Sequence, residues 1–162
     1  MICLGIETSC DETSVALLDG ERVLASQTYT QEVHSRFGGV VPEAASRQHL
    51  VKIDPLCRMV FESVQLQPPD VQLVAVTDTP GLAGALLVGI SFALGFHSSY
   101  AIPITGINHL EGHISAILLE HPDITYPFVA LVVSGGHTAL YRVDDFGVYT
   151  CIGQTVDDAA GE

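Results

Sequence analysis

Positive charge is scarce in this sequence. Six Lys and Arg stand against 19 Asp and Glu, for a formal net charge of −13. The bases, Arg22, Arg36, Arg47, Lys52, Arg58 and Arg142, are scattered and form no stripe. Phosphate contacts need clustered Lys and Arg, so the chain by itself is a poor nucleic-acid binder. Cysteine is also sparse. Cys3, Cys10, Cys57 and Cys151 contain no CxxC pair, a spacing that matches neither a disulfide nor a zinc framework, and reduced cytosolic thiols are expected. No basic stretch opens the chain and Glu7 interrupts its apolar start, so no signal peptide is expected. Leu82–Phe96 is uncharged and mostly apolar, but its 15 residues fall short of the ~20 that span a bilayer, and a buried helix is expected there.

What is present is apolar. Hydrophobic residues make up 48% of the 162 and charged residues only 15%, enough for one real core with a sheet-rich interior. Three strand-like segments open the chain, Ile2–Glu7, Ser14–Leu18 and Arg22–Thr30. A polar turn, Thr8–Thr13, separates the first two, and Asp19-Gly20 reads as a hairpin turn between the others. A loop is expected around Phe37-Gly38-Gly39, then a helix from Pro42 to about Val64, broken by Gln67-Pro68-Pro69-Asp70. Leu73–Thr77 reads as a strand, Leu82–Tyr100 as a helix, Ile104–Ile107 as a strand and His109–Glu120 as a helix. Alternating strands and helices indicate an α/β sheet with parallel members.

After His121-Pro122 the opening pattern starts again. Phe128–Val133, a small polar turn at Ser134–His137, Thr138–Val143, a tight turn at Asp144–Gly147 and Val148–Gln154 repeat the strand and turn order of residues 2–30. Val156–Glu162 reads as an acidic first helical turn. The expected units are therefore 1–122 and 123–162, the second incomplete, with one face of its three strands uncovered. A domain should not end so, and the sequence is expected to be a fragment.

Two features carry chemistry. His109 and His113, in Asn108-His109-Leu110-Glu111-Gly112-His113, lie one turn apart on one helical face, so both imidazoles can reach one ion. Imidazole suits zinc, iron, copper and nickel alike, and a site needs at least a third ligand. The second feature is the pair of polar turns. Thr8, Ser9, Asp11, Glu12 and Thr13 at one tip, and Ser134, Gly135 and Gly136 at the other, suit a nucleotide's phosphates, with the acids acting through magnesium. Ordinary hairpin turns have the same composition, and both readings stand at this level.

Six motifs in order span the chain: Leu4–Ser14; Gly38–Glu43 with Ala45-Ser46-Arg47 and His49; Pro80-Gly81-Leu82; Asn108–His113; Val132–Thr138; and Asp157–Glu162. Together they resemble the bacterial TsaD (Gcp) family over roughly the first half of a member. The resemblance implies an actin-like, Hsp70-like ATPase fold built from two duplicated ribonuclease-H-like domains. It implies transfer of a threonylcarbamoyl group from threonylcarbamoyl-AMP to the exocyclic amine of the tRNA adenosine beside the anticodon, in tRNAs reading codons that start with A. It makes His109 and His113 ligands of one divalent iron or zinc ion per full-length subunit, with a third ligand, an aspartate, beyond residue 162. Val132, Val133, Ser134, Gly135 and Gly136 match its substrate-contacting loop. Beside the resemblance, the polar turn makes Thr8, Ser9 and Thr13 the candidate phosphate or cation loop, with Mg2+ accompanying nucleotide. Asp11 and Glu12 are the candidate catalytic carboxylates. TsaB-like and TsaE-like proteins and tRNA are the implied partners, in the cytoplasm and without a membrane. The sequence departs from the family at Thr79, usually Gly, and at Leu94, where a base is usual on that helix.

Three other readings compete. A zincin-type metalloprotease, the O-sialoglycoprotein endopeptidase-like reading, needs its glutamate beside the first histidine; here the order is HxEGH. A non-catalytic scaffold paralogue would lack the histidine pair. A sugar or acetate kinase of the actin-like superfamily would need neither HxEGH nor the closing Asp157–Glu162 motif.

Overall fold

The computed structural model describes residues 1–31, 40–134 and 138–160. The expected loop at Phe37-Gly38-Gly39, the turn residues Gly135, Gly136 and His137, and the last two residues, Gly161 and Glu162, lie outside them. The chain forms two compact units, Met1–His109 and Leu110–Glu162.

The first unit contains β1 (Ile2–Glu7), β2 (Glu12–Asp19), β3 (Arg22–Thr30), α1 (Pro42–Val64), β4 (Leu73–Thr79), α2 (Ala83–Tyr100) and β5 (Ile104–Asn108). Its five-stranded sheet has the order β3-β2-β1-β4-β5. β1 pairs antiparallel with β2, Leu4 opposite Leu17, and parallel with β4, Leu4 opposite Val74. β5 continues in parallel, Ile104 beside Val74. The helices α1 and α2 make the crossovers that parallel strands require. Alternate residues of the central strands, Leu4, Ile6, Val15, Leu17, Val74 and Val76, are buried with Ile53, Leu56, Val60 and Phe61 of α1. That places the apolar stripe of α1 on one face of the sheet, and burial of each such side chain contributes about 1.5–3 kcal/mol.

α1 begins where the sequence indicates, because Pro42 supplies a preset φ where no N–H is needed. It ends at Gln65, which turns left-handed at φ 58°. α2 is apolar and long enough, by length and composition, to cross a membrane. In this structure its buried positions are Ala85, Leu86, Gly89 and Ala93, with Gly89 against Val76 and Ile6. The β2–β3 turn is Gly20-Glu21 rather than Asp19-Gly20, since Asp19 still pairs with Arg22. Gly20 takes the positive φ of 58° that this position demands.

α3 (His109–Glu120) starts on the last residue of the first unit and runs into the second. There β6 (Phe128–Val133), β7 (Thr138–Asp145) and β8 (Val148–Gln154) form a separate antiparallel sheet in that order. Ile114 of α3 packs with Val132 and Val143, and Leu110 joins them. These contacts accompany the division by compactness after His109. Val129, Leu131, Val133 and Ile152 are exposed on this sheet. The expected helical turn after Val156 is not formed among the described residues. Thr155 Oγ1 donates to Asp158 O at 2.9 Å and accepts from Asp157 N, which bends the backbone instead.

Candidate functional site

Ligands of open α/β sheets bind beyond the carboxyl ends of the parallel strands. In the first unit those ends carry Glu7 of β1, Thr77 of β4 and Asn108 of β5, followed at once by His109. Glu7 accepts hydrogen bonds from the Ser9 backbone N–H and from the Thr77 hydroxyl. His109 Nδ1 lies 3.3 Å from the same Oε2 that Thr77 reaches. Burial opposes the Glu7 charge, but the bonds from His109, Ser9 and Thr77 outweigh it and hold the carboxyl at about 2. A carboxylate only accepts, so Nδ1 of His109 carries a proton, which in the neutral ring leaves the lone pair on Nε2. That tautomer is the one an imidazole needs to ligate a metal through Nε2.

Ser9 closes the arrangement. Its Oγ is 3.1 Å from His109 Nδ1, and its carbonyl accepts from Leu82 N at 2.8 Å. The Pro80-Gly81-Leu82 segment approaches so closely that a Cβ on Gly81 would meet Ser9 O at 2.7 Å. Glycine is required there by space. His113 follows on α3, four positions after His109, in the second unit. It lines an apolar groove of about 650 Å³ with Glu120, Ile117, Phe128 and Val132. Among the described residues no group of three or more His, Cys, Asp and Glu is arranged to hold a metal ion. Imidazole nitrogen suits iron or zinc by donor chemistry, and a metal site needs at least a third donor.

The hydroxyls expected at the first polar turn face inward. Thr8, Ser9 and Thr13 are almost fully buried. Thr8 Oγ1 donates to Ala85 O at 2.9 Å, Ser9 Oγ is engaged with His109, and Thr13 Oγ1 lies 2.8 Å from His49 Nδ1. The more accessible acidic groups here are the half-buried Asp11 and the exposed Glu12. Glu12 Oε1 accepts from Thr30 Oγ1 at 2.9 Å. Burial, then the neighbouring Asp11 charge, push the Cys10 thiol up to about 11.

In the second unit, Val132 and Val133 end β6 opposite Ala139 and Thr138, with Ser134 directly after. Gly135 and Gly136 lie outside the described residues. Thr138 Oγ1 accepts from Ala160 N at 2.8 Å and Thr138 O from Thr155 N at 2.8 Å, so the closing acidic segment returns to the start of β7. Sequence reasoning missed Glu7, Thr77 and His49 as organising groups. The carboxylate closing the apolar strand Leu4-Gly5-Ile6-Glu7 was a usable signal; Thr77 had none.

A family profile described as TsaD: tRNA N6-adenosine threonylcarbamoyltransferase matches residues 22–162. A protein of that name from Gemmatimonas aurantiaca is 52% identical over 166 residues, covering 100% of this chain and 46% of the relative. The chain spans about half the length of the curated relatives it matches. Among solved structures, YeaZ from Pseudomonas aeruginosa superposes with a TM-score of 0.66 at 17% identity, covering 95% of this chain and 66% of that one. The ethanolamine utilization protein EutJ from Carboxydothermus hydrogenoformans gives 0.60 at 13%, covering 100% and 53%. These likenesses establish the actin-like ATPase fold. The profile match and the identity to full-length relatives establish more: this chain belongs to the tRNA N6-adenosine threonylcarbamoyltransferase family.

Proposed function

We propose that the chain supplies the N-terminal part of an enzyme moving threonylcarbamoyl from threonylcarbamoyl-AMP to N6 of the adenosine beside the tRNA anticodon, in tRNAs reading codons that start with A. The observation that carries this is the Glu7–Ser9–His109 cluster at the head of the helix bearing His113, in a chain of this family. The Glu7 contact fits His109 for a metal, and His113 is the second ligand. A divalent iron or zinc ion held by the pair supplies Lewis-acid polarisation of the carbamoyl carbonyl or adenylate phosphate.

The chain's own residues do the rest. Val132, Val133 and Ser134, with Gly135 and Gly136, hold the adenylate. The tRNA amine forms a bond to the carbamoyl carbon, the bond from that carbon to the adenylate oxygen breaks, and AMP leaves with its electron pair. Asp11 or Glu12 takes the proton lost by the amine. The turn with Thr8, Ser9 and Thr13 meets phosphate, which the two carboxylates would reach through a bound Mg2+. TsaB-like and TsaE-like proteins are the partners, and the basic tRNA-docking surface lies outside these residues, given six scattered bases. The setting is the cytoplasm, with no membrane.

The test replaces the aligned segment of the Gemmatimonas aurantiaca relative with residues 1–162 of this chain. The fused protein is incubated with tRNA, threonine, bicarbonate, ATP, the adenylate-forming enzyme and the partner proteins. N6-threonylcarbamoyladenosine in digested tRNA supports the reading; a folded fusion that makes none overturns it.

A further inference from the structure

His49 sits on α1 with no solvent exposure. Its two ring nitrogens reach the two ends of one short turn. Nε2 is 3.0 Å from Cys10 O, and Nδ1 is 2.8 Å from Thr13 Oγ1. Between those anchors stand Asp11 and Glu12.

The chemistry of the partners fixes the ring's tautomer. A carbonyl oxygen only accepts, so Nε2 carries the hydrogen and donates it to Cys10 O. The Gln31 side-chain nitrogen lies 3.4 Å from both ring nitrogens and 3.3 Å from Ala45 O, so the Cys10 carbonyl alone sets the donor, and in the neutral ring Nδ1 is then the acceptor. Thr13 then donates its hydroxyl hydrogen to Nδ1. Gln31 also braces the turn from its far side, its backbone N–H donating to Asp11 O at 3.0 Å. Gln31 and Thr13 are themselves buried. Buried polar groups joined in this way define a single arrangement, because any slip leaves a donor or acceptor unsatisfied.

We propose that His49, as the neutral Nε2–H tautomer, is a positioning residue that clamps the turn at Cys10 and Thr13 and so sets where the Asp11 and Glu12 carboxylates stand. The proposal rests on the reading of those carboxylates as groups at the reacting centre, but the clamp itself is testable without any turnover. A helix that packs on the sheet is thereby tied to the polar turn by one side chain.

The experiment is nitrogen-15 NMR of the 162-residue chain, with amide hydrogen exchange on the wild type and three variants. In the wild type, the His49 ring shows a protonated Nε2 and an unprotonated Nδ1. In His49→Ala, the amides of Glu12 and Thr13 exchange faster by about tenfold or more, the scale of one or two lost buried hydrogen bonds. Those of Val74 and Val76 in β4 keep their rates. His49→Gln, whose amide nitrogen can still donate to Cys10 O, recovers most of the protection. If His49→Ala does not fold, Thr13→Val decides, with an increase of about threefold confined to the turn from the loss of one hydroxyl bond. A proton on Nδ1 rather than Nε2, unchanged exchange at Glu12 and Thr13, or equal loosening of β4 and the turn overturns the proposal. A fused enzyme that fails to modify tRNA would overturn the transferase reading and leave these NMR outcomes standing.

Discussion

Glu7 Oε2 and His109 Nδ1 lie 3.3 Å apart, although 102 positions separate the two residues in the chain. One closes the central strand β1 and the other opens α3, so the register of the parallel sheet brings them together. The carboxylate orients the imidazole, and it is itself held by Ser9 and Thr77. A partner of this kind fixes the ring nitrogen that a metal-ligating histidine offers.

Removing the Glu7 carboxylate should therefore cost stability as well as alignment. Glu7→Ala leaves the Ser9 N–H and the Thr77 hydroxyl without their acceptor, and a loss of about 1–3 kcal/mol is expected. Urea denaturation followed by circular dichroism measures it. Glu7→Gln, which keeps an acceptor oxygen, should lose less. A change within about 0.5 kcal/mol for Glu7→Ala, the range of ordinary surface substitutions, contradicts the role.

Gly81→Ala tests the close approach at Ser9. Its new Cβ would stand 2.7 Å from Ser9 O and 2.8 Å from Ser9 Cβ, so the backbone must move apart. A destabilisation of about 1–3 kcal/mol is expected, as for other overpacked sites. A melting temperature equal to the wild type's would show that the segment yields freely.

The cysteines should separate by reactivity. Burial, then the Asp54 charge, raise Cys57 to about 12, and Cys10 stands at about 11, while Cys151 is exposed. A raised pKa leaves less thiolate at neutral pH, and the thiolate is the nucleophile. Peptide mapping after brief iodoacetamide treatment at neutral pH should find Cys151 labelled first. Cys10 labelling should rise by about tenfold per pH unit below its pKa, following the thiolate fraction. Early labelling of Cys57 in the folded chain would contradict its buried placement.

Much of this fold was legible in the sequence for a simple reason. Apolar alternation in Ile2–Glu7 and the helical spacing of Ala45, His49, Ile53, Leu56 and Val60 encode which face is buried. Pro42 and Gly20 mark an element boundary and a turn through backbone restrictions that act locally. The site was less legible because it depends on distant pairings. Composition shows that Thr8, Ser9 and Thr13 are polar, but not that Ala85, His109 and His49 take their hydroxyls. The closing turn was misread for a related cause. Acidic residues suit a first helical turn, yet the Thr155 hydroxyl competes for the same backbone groups and bends the chain. The histidine spacing needed no tertiary information, since one helix supplies it.

The central claim is that His109 and His113 serve tRNA threonylcarbamoyl transfer, and the rate of adenosine modification by the fused protein tests it most directly. Initial rates are measured with saturating tRNA for the parent fusion and for its His109→Ala and His113→Ala variants, with bound iron and zinc determined on the same samples. The expected result is one metal ion per subunit in the parent, loss of that ion in each variant, and a rate lower by about a hundredfold or more, as removal of a metal ligand from a catalytic centre implies. Undiminished modification by both variants would contradict the account.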